Sequence, residues 1–338
     1  MATWVVSAGA EGRDYTEYFF RSGMAFVGGN SQRAAMRLVA AGDIILLKRG
    51  LSEFIAAGRV IECNGIVSGD GDKAWLCDFD GWDLSGYCYV EWHVPDQAEL
   101  APGLRMGTIY QTNRSEHLQV AARLLAAPLR AAVGEPSPTQ PVGDDAMLSF
   151  LIQQGLRVAA ADELTNALRR IRLLAEYYYN NWRWQDIREH ETRTFLVVPL
   201  LLALGWAEQQ LKIELPVQGG RVDVACFPGP FQGNNAAAVA LIETKGFSSG
   251  LDYAPRQAQA YARHFPNCQV VLVTNGYCYK SYLRQTDATF STTPAAYLNI
   301  FNPTNQYPLD PQHVAGAFEV LRWLMPTTLY RGRTIESA

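Results

Sequence analysis

The chain has 338 residues, 48% of them apolar, which suggests two domains with real cores. Its formal net charge of -4 excludes a global basic field of the kind that advertises nucleic acid. Of 29 basic residues only 5 are Lys, and Arg forks suit bidentate phosphate and carboxylate contacts, although a GC-rich coding bias gives the same balance.

Taken in chain order, strand 3–7 opens the N-terminal half. A short helix follows at 32–39, then a Gly42-Asp43 turn into strand 44–48, strand 54–61, and an alternating strand at 87–92 that stops before Pro95. Short strands with Gly turns predict a small β-barrel. Residues 133–146 are rich in Pro, Gly and polar side chains and form the best linker, so the division expected is 1–132, linker 133–146, and 147–338. Beyond it, Leu164, Leu168, Ile171, Ala175, Tyr178 and Trp182 recur at helical spacing and predict one long helix. Tyr177, Tyr179, Trp182 and Trp184 beside that stripe are expected to pack rather than to stack bases. A second helix over 186–204 ends at Gly205 and should kink at Pro199. Strands follow at 213–216, 221–227 and 239–245, then a helix at 254–264. A strand at 268–274 turns at Asn275-Gly276 into 277–283, and a helix at 311–324 closes the order. The order predicts an α/β sandwich around a mixed sheet.

Six cysteines, Cys63, Cys77, Cys88, Cys226, Cys268 and Cys278, show neither a C-x-x-C pair nor zinc spacing. Reduced, mostly buried thiols in a cytoplasmic protein are expected. No basic and apolar leader opens the chain. The longest apolar run, 195–206, is too short for a bilayer and carries Pro199, so a soluble protein with no membrane partner is expected.

The chemistry concentrates on two adjacent strands. Strand side chains alternate, so Glu243 and Lys245 share one face of an otherwise apolar strand. Buried charges there are costly unless they are paired or bind a cation. The preceding strand carries Asp223 between Val222 and Val224, and a hairpin can bring it beside Glu243. Two close carboxylates call for a hard divalent cation, Mg²⁺ or Mn²⁺, which could activate water, with Lys245 orienting the nucleophile or offsetting charge. A structural ion pair is the alternative, since E-x-K alone is a common triplet.

The flanking motifs carry a resemblance. H-E-T-R-T-F-L-V-V-P-L-L-L-A-L-G-W over 190–206, G-R-V-D over 220–223, L-I-E-T-K over 241–245, Gln257 with Tyr261, and V-T-N-G over 273–276 occur in one order. Over 186–285 the chain resembles the PD-(D/E)XK nuclease superfamily, and within it the N-terminal nuclease domain of type I restriction enzyme motor subunits. Val222 stands where the family label has Pro, at a position that varies. The resemblance implies a restriction-endonuclease-like α/β sandwich in which Asp223 and Glu243 bind metal and Lys245 is catalytic. It also implies that Glu191 adds a metal or water ligand, and that Gln257 and Tyr261, four apart on one helix face, position the DNA backbone. Solvated or core roles are the alternatives for Glu191 and Tyr261.

In the N-terminal half, a helix, a G-D turn at 42–43, an apolar strand, and the hairpin partner I-A-A-G-R-V over 55–60 are similar to the PUA-like superfamily, EVE and YTH domains included. That resemblance implies a nucleic-acid reader holding a modified base in an aromatic pocket, for which Trp4, Phe26, Trp82 and Trp92 are the available aromatics. Core packing is the alternative for each. The two resemblances together imply a modification-dependent DNA endonuclease that reads a cytosine derivative, acts as a homodimer and uses no NTP, since no G-x-x-x-x-G-K-[ST] occurs. Two other readings remain open. One is an antiviral nuclease whose N-terminal domain senses RNA or a signalling nucleotide. The other is a non-catalytic nucleic-acid-binding protein, which the intact set of Asp223, Glu243, Lys245 and Gln257 disfavours.

Overall fold

The computed structural model describes residues 1–9, 12–181 and 186–331. Trp182 and Trp184 lie outside the described residues. The chain is α/β with mixed sheets and divides into two compact units, Met1–Pro138 and Thr139–Ala338. The division falls within the segment 133–146. Helix α5 starts at the end of that segment, at Asp144, whose carboxylate takes both guanidinium arms of Arg172 at 2.6 and 2.7 Å.

In chain order the first unit contains β1 (Thr3–Ser7), α1 (Thr16–Ser22), β2 (Met24–Val27), α2 (Asn30–Met36), β3 (Ile44–Arg49) and β4 (Glu53–Val60). It continues with β5 (Ser68–Asp70), α3 (Ala74–Cys77), β6 (Gly86–His93), β7 (Glu99–Leu100), β8 (Ile109–Thr112), α4 (Ser115–Leu124) and β9 (Leu129–Arg130). The main sheet runs β2-β6-β4-β3-β1-β8, with β1 and β3 parallel and the other neighbours antiparallel. It curls as a half-barrel, and β2 and β8 do not pair among the described residues, so a closed barrel is not seen. One face buries Val5, Leu46, Phe54 and Ala57 under Val120, Ala121 and Leu124 of α4, whose apolar residues recur every three or four positions. An aromatic cluster makes a further core: Phe19 of α1 stacks on Phe26 of β2 at 4.2 Å, and Trp92 of β6 meets Phe19 edge-on. Burying each such ring contributes on the order of 2–3 kcal/mol.

The second unit contains α5 (Asp144–Gln153), α6 (Ala161–Asn181), α7 (Glu189–Thr192), α8 (Val198–Ala203), β10 (Leu211–Val217), β11 (Gly220–Cys226) and β12 (Ala240–Thr244). Then come α9 (Ala254–Ala262), β13 (Val270–Thr274), β14 (Cys278–Leu283), β15 (Ala296–Asn299), α10 (Ala317–Leu324) and α11 (Pro326–Arg331). The sheet follows chain order from β10 to β15, and β12 with β13 is its parallel pair. That parallel step needs a crossover, which α9 supplies. The central strands are buried along their whole length, β13 as a Val-Val-Leu-Val run and β12 as Ala-Leu-Ile ahead of Glu243. Helix α6 inserts Leu164, Leu168, Ile171, Ala175 and Tyr178 into the core, while Tyr177 and Tyr179 stay exposed.

Two elements differ from the sequence expectation for local reasons. The helix over 186–204 is interrupted by a π-turn at Arg193–Val197 rather than bent at Pro199 itself. Proline lacks an N–H and its ring crowds the carbonyl four residues back, so widening the preceding turn relieves both problems. The closing helix starts at Ala317, not 311, because 311–313 form a turn and the flanking Thr304, Gln306 and Ala315 are held in single bridges to Pro141, Ala315 and Ala296 respectively.

Candidate active site

Strands β11 and β12 pair through Val224 with Ile242, and their ladder ends there. Asp223 therefore lies where the two strands part. Its Oδ2 accepts from the Thr244 backbone N–H at 2.7 Å and the Thr244 hydroxyl at 2.8 Å, completing the open end of β12. Just past this strand, the Lys245 backbone N–H donates to Thr274 of β13 at 2.8 Å, holding the chain in register. Alternation puts the Glu243 and Lys245 side chains together, with Nζ donating to Glu243 Oε1 at 2.8 Å.

Glu243 is only 3% exposed, and burial pushes its carboxyl up to about 7 although Lys245 pulls the other way. The Asp223 and Glu189 charges add to the rise. Burial draws the Lys245 ammonium down, but the Glu243 bond and charge prevail and hold it above its ordinary value. Lys245 is thus a cation at neutral pH, fitted to donate hydrogen bonds and offset negative charge rather than to accept a proton.

Lys245 Nζ is also 3.4 Å from Gln257 Oε1 and 3.4 Å from Glu189 Oε1. Gln257 stands on the first turn of α9 that faces the strand ends. One helical turn on, Tyr261 covers Gly220 so closely that a Cβ there would meet the phenol oxygen at 2.3 Å. Glycine at 220 is what lets the ring lie on the start of the Asp223 strand. Asp223, Glu243, Lys245, Gln257 and Tyr261 therefore gather around one end of β11 and β12.

Glu191 is placed differently. Its Oε2 accepts from the Arg188 backbone N–H at 3.1 Å, the reciprocal contact of a helix capping box. Glu189, one residue into the helix, is the acid that reaches Lys245. Residues two apart on a helix point some 200° away from each other, so only one of them can face the strands.

Besides Glu189, three residues enter the site without having been singled out from sequence. Arg193, 4% exposed, donates to Asp223 Oδ1 at 2.9 Å and to Glu214 Oε1 at 2.6 Å. Glu214 has φ of 51°, a left-handed conformation rare for a side chain of its length, and its other oxygen meets Arg221 at 3.3 Å. Thr244 supplies two donors to Asp223. The signal for Arg193 was its spacing four residues after Glu189, which places both on one helix face. No local pattern announces the Glu214 conformation.

Asp223 and Glu243 offer hard carboxylate oxygens, and the desolvated Glu243 carboxyl is a group that a cation would favour in its charged form. Mg²⁺ keeps most of its waters and needs only one or two protein carboxylates, so the donor set fits such an ion. Among the described residues no cluster of three or more His, Cys, Asp or Glu is poised as a preformed metal cage.

In the first unit, the aromatics flagged from sequence are mostly sealed in. Trp4 is buried and donates its indole N–H to Asp43 at 3.1 Å. Phe26 lies in the stacked cluster, and Trp92 is 1% exposed with its N–H on the Met24 carbonyl at 3.3 Å. Trp82 is half-buried, with the Arg13 guanidinium 3.7 Å above its ring. Of the four, Trp82 alone keeps a partly open face. All six cysteines are free thiols, and among the described residues no helix is long and apolar enough to cross a membrane.

No protein-family model matches the chain, and neither does any curated protein.

Proposed function

We propose that the second unit is a metal-dependent deoxyribonuclease of the PD-(D/E)XK type and that the first unit is a PUA-like reader directing it to modified DNA. The observation that carries the nuclease reading is the buried Glu243–Lys245 pair at 2.8 Å, placed where β12 parts from the strand bearing Asp223. The strand order supports it. Three antiparallel strands, a crossover helix and a parallel fourth strand are the core expected of a restriction-endonuclease-like sandwich.

Asp223 and Glu243 would hold the divalent ion. A bound Mg²⁺ would supply Lewis-acid activation of water and charge stabilisation at the phosphodiester. Lys245 donates toward the attacking water or a non-bridging oxygen, and Glu243 keeps its ammonium aimed. Gln257 limits the swing of Lys245, and the Tyr261 phenol above Gly220 gives the DNA backbone a donor beside the strand ends. Cutting both strands of a duplex takes two such sites, so the acting form is a homodimer. No step calls on an NTP. The reduced thiols suit a cytoplasmic enzyme.

The test is cleavage of unmodified, 5-methylcytosine and 5-hydroxymethylcytosine DNA with Mg²⁺ or Mn²⁺. A modified substrate should be cut in preference, and equal cutting of all three would remove the reader role from the first unit. Glu243→Ala and Lys245→Ala should abolish cleavage and leave DNA binding largely intact. Cleavage that survives either change would overturn the site.

A further inference from the structure

Asp223 is the most heavily occupied carboxylate in the second unit's site. Its Oδ2 takes the N–H and hydroxyl of Thr244, and its Oδ1 takes Arg193. A carboxylate offers about four acceptor positions, so roughly one remains, on the oxygen that already faces a guanidinium. Arg193 is not an incidental neighbour. It begins the π-turn, and its side chain reaches Asp223 on β11 and Glu214 on β10. Glu214 adopts its left-handed backbone while holding the other guanidinium arm. Arg193 Nε is buried with no hydrogen-bond partner among the described residues, so the group stays in place at a cost.

Resting on the nuclease reading of this site, we infer that Arg193 is a positioning residue, a built-in cation on Asp223 that limits the site to a single divalent ion. The charges around the strand ends agree. The carboxylates of Glu189, Glu214, Asp223 and Glu243 face the cations of Arg193, Arg221 and Lys245, an excess of one negative charge. One divalent ion reverses that to one positive charge, which a single phosphodiester cancels. A second ion would leave two positive charges uncompensated. A pair of metal ions also needs carboxylate oxygens free to hold both, typically about 3.5–4 Å apart. Asp223 has given those positions to Thr244 and Arg193.

The experiment is a Mn²⁺ titration of the full chain, followed by calorimetry and by the electron paramagnetic resonance of free Mn²⁺, without DNA. Wild type and Arg193→Lys should bind one ion per chain. Arg193→Gln, which removes the charge, should bind its first ion at least about tenfold tighter and accept a second. Two ions per wild-type chain would overturn the inference and leave the nuclease reading standing, as would an Arg193→Gln chain that titrates like wild type. No ion bound by wild type, or binding untouched by Glu243→Gln, would overturn the nuclease reading and the inference with it. The wild-type stoichiometry needs no variant to fold, and thermal unfolding of each variant identifies any that does not.

Discussion

Trp92 in the first unit and Glu243 in the second are almost equally hidden from water, at 1% and 3% exposure. For Trp92 burial is self-explanatory: a large ring leaves water, meets Phe19 and Phe20 edge-to-face, and finds a carbonyl for its single N–H. For Glu243 burial opposes ionisation, and the lysine beside it does not return the carboxyl to its ordinary range. Accessibility alone does not separate a core from a site. What separates them is whether the buried group gains or loses free energy by being there, and in this chain the gain is in the first unit's aromatics and the loss at the end of β12.

The largest effect expected is on cleavage: Lys245→Met should lower single-turnover cutting by at least about a thousandfold, because a preorganised donor in a desolvated site cannot be replaced by water. Nicking of supercoiled DNA with Mg²⁺ measures it, and a loss below tenfold would make Lys245 structural. Next, Trp92→Ala should destabilise the first unit by roughly 3–5 kcal/mol through cavity formation, whereas Trp82→Ala, under Arg13 and half-open, should cost about 1 kcal/mol or less. Denaturant unfolding reads both. Equal costs would erase the distinction between the sealed rings and the partly open one.

A third effect is on pH dependence in the absence of metal. The Glu243 carboxyl ordinarily titrates near 4.5 and is raised to about 7 in the fold. Between those values the folded chain keeps a proton that the unfolded chain has released, so stability falls as pH rises through that window. The decline should amount to at most about 3 kcal/mol and be absent in Glu243→Gln, which should be the more stable protein at pH ~8 but not at pH ~4. Chemical denaturation across that range, with and without Mg²⁺, checks the sign. The smallest effect separates two neighbouring acids: Glu191→Ala should lose a helix cap, about 0.5–1 kcal/mol, with cleavage retained, while Glu189→Gln should alter cleavage with little change in stability. The reverse pattern would return the site role to Glu191.

Much of the second unit was legible in the chain. Strands such as 221–227 and 239–245 announce themselves through apolar runs, and a lone Asp or an E-x-K within such a run stands out because nothing apolar explains it. Helix α6 was equally plain from its stripe. The first unit was less so. Short strands and Gly turns predicted curvature, but closure depends on edge strands that sequence periodicity does not describe, and β2 and β8 remain unpaired. Helices α1 and α4 are absent from the sequence reading, although α4 carries the apolar spacing of an amphipathic helix.

By itself the sequence determined which strands carry Asp223 and Glu243, and that Lys245, two residues on, shares the Glu243 face, because side chains alternate along any extended backbone. It also determined that Gln257 and Tyr261 lie on one side of a helix. Only the tertiary structure decided which acid of α7 meets Lys245, that Trp4, Phe26 and Trp92 are core, and that Arg193 with Glu214 holds Asp223. Those outcomes depend on the rotation of α7 as it runs into the π-turn and on one left-handed residue in β10, long-range fits that no local spacing encodes.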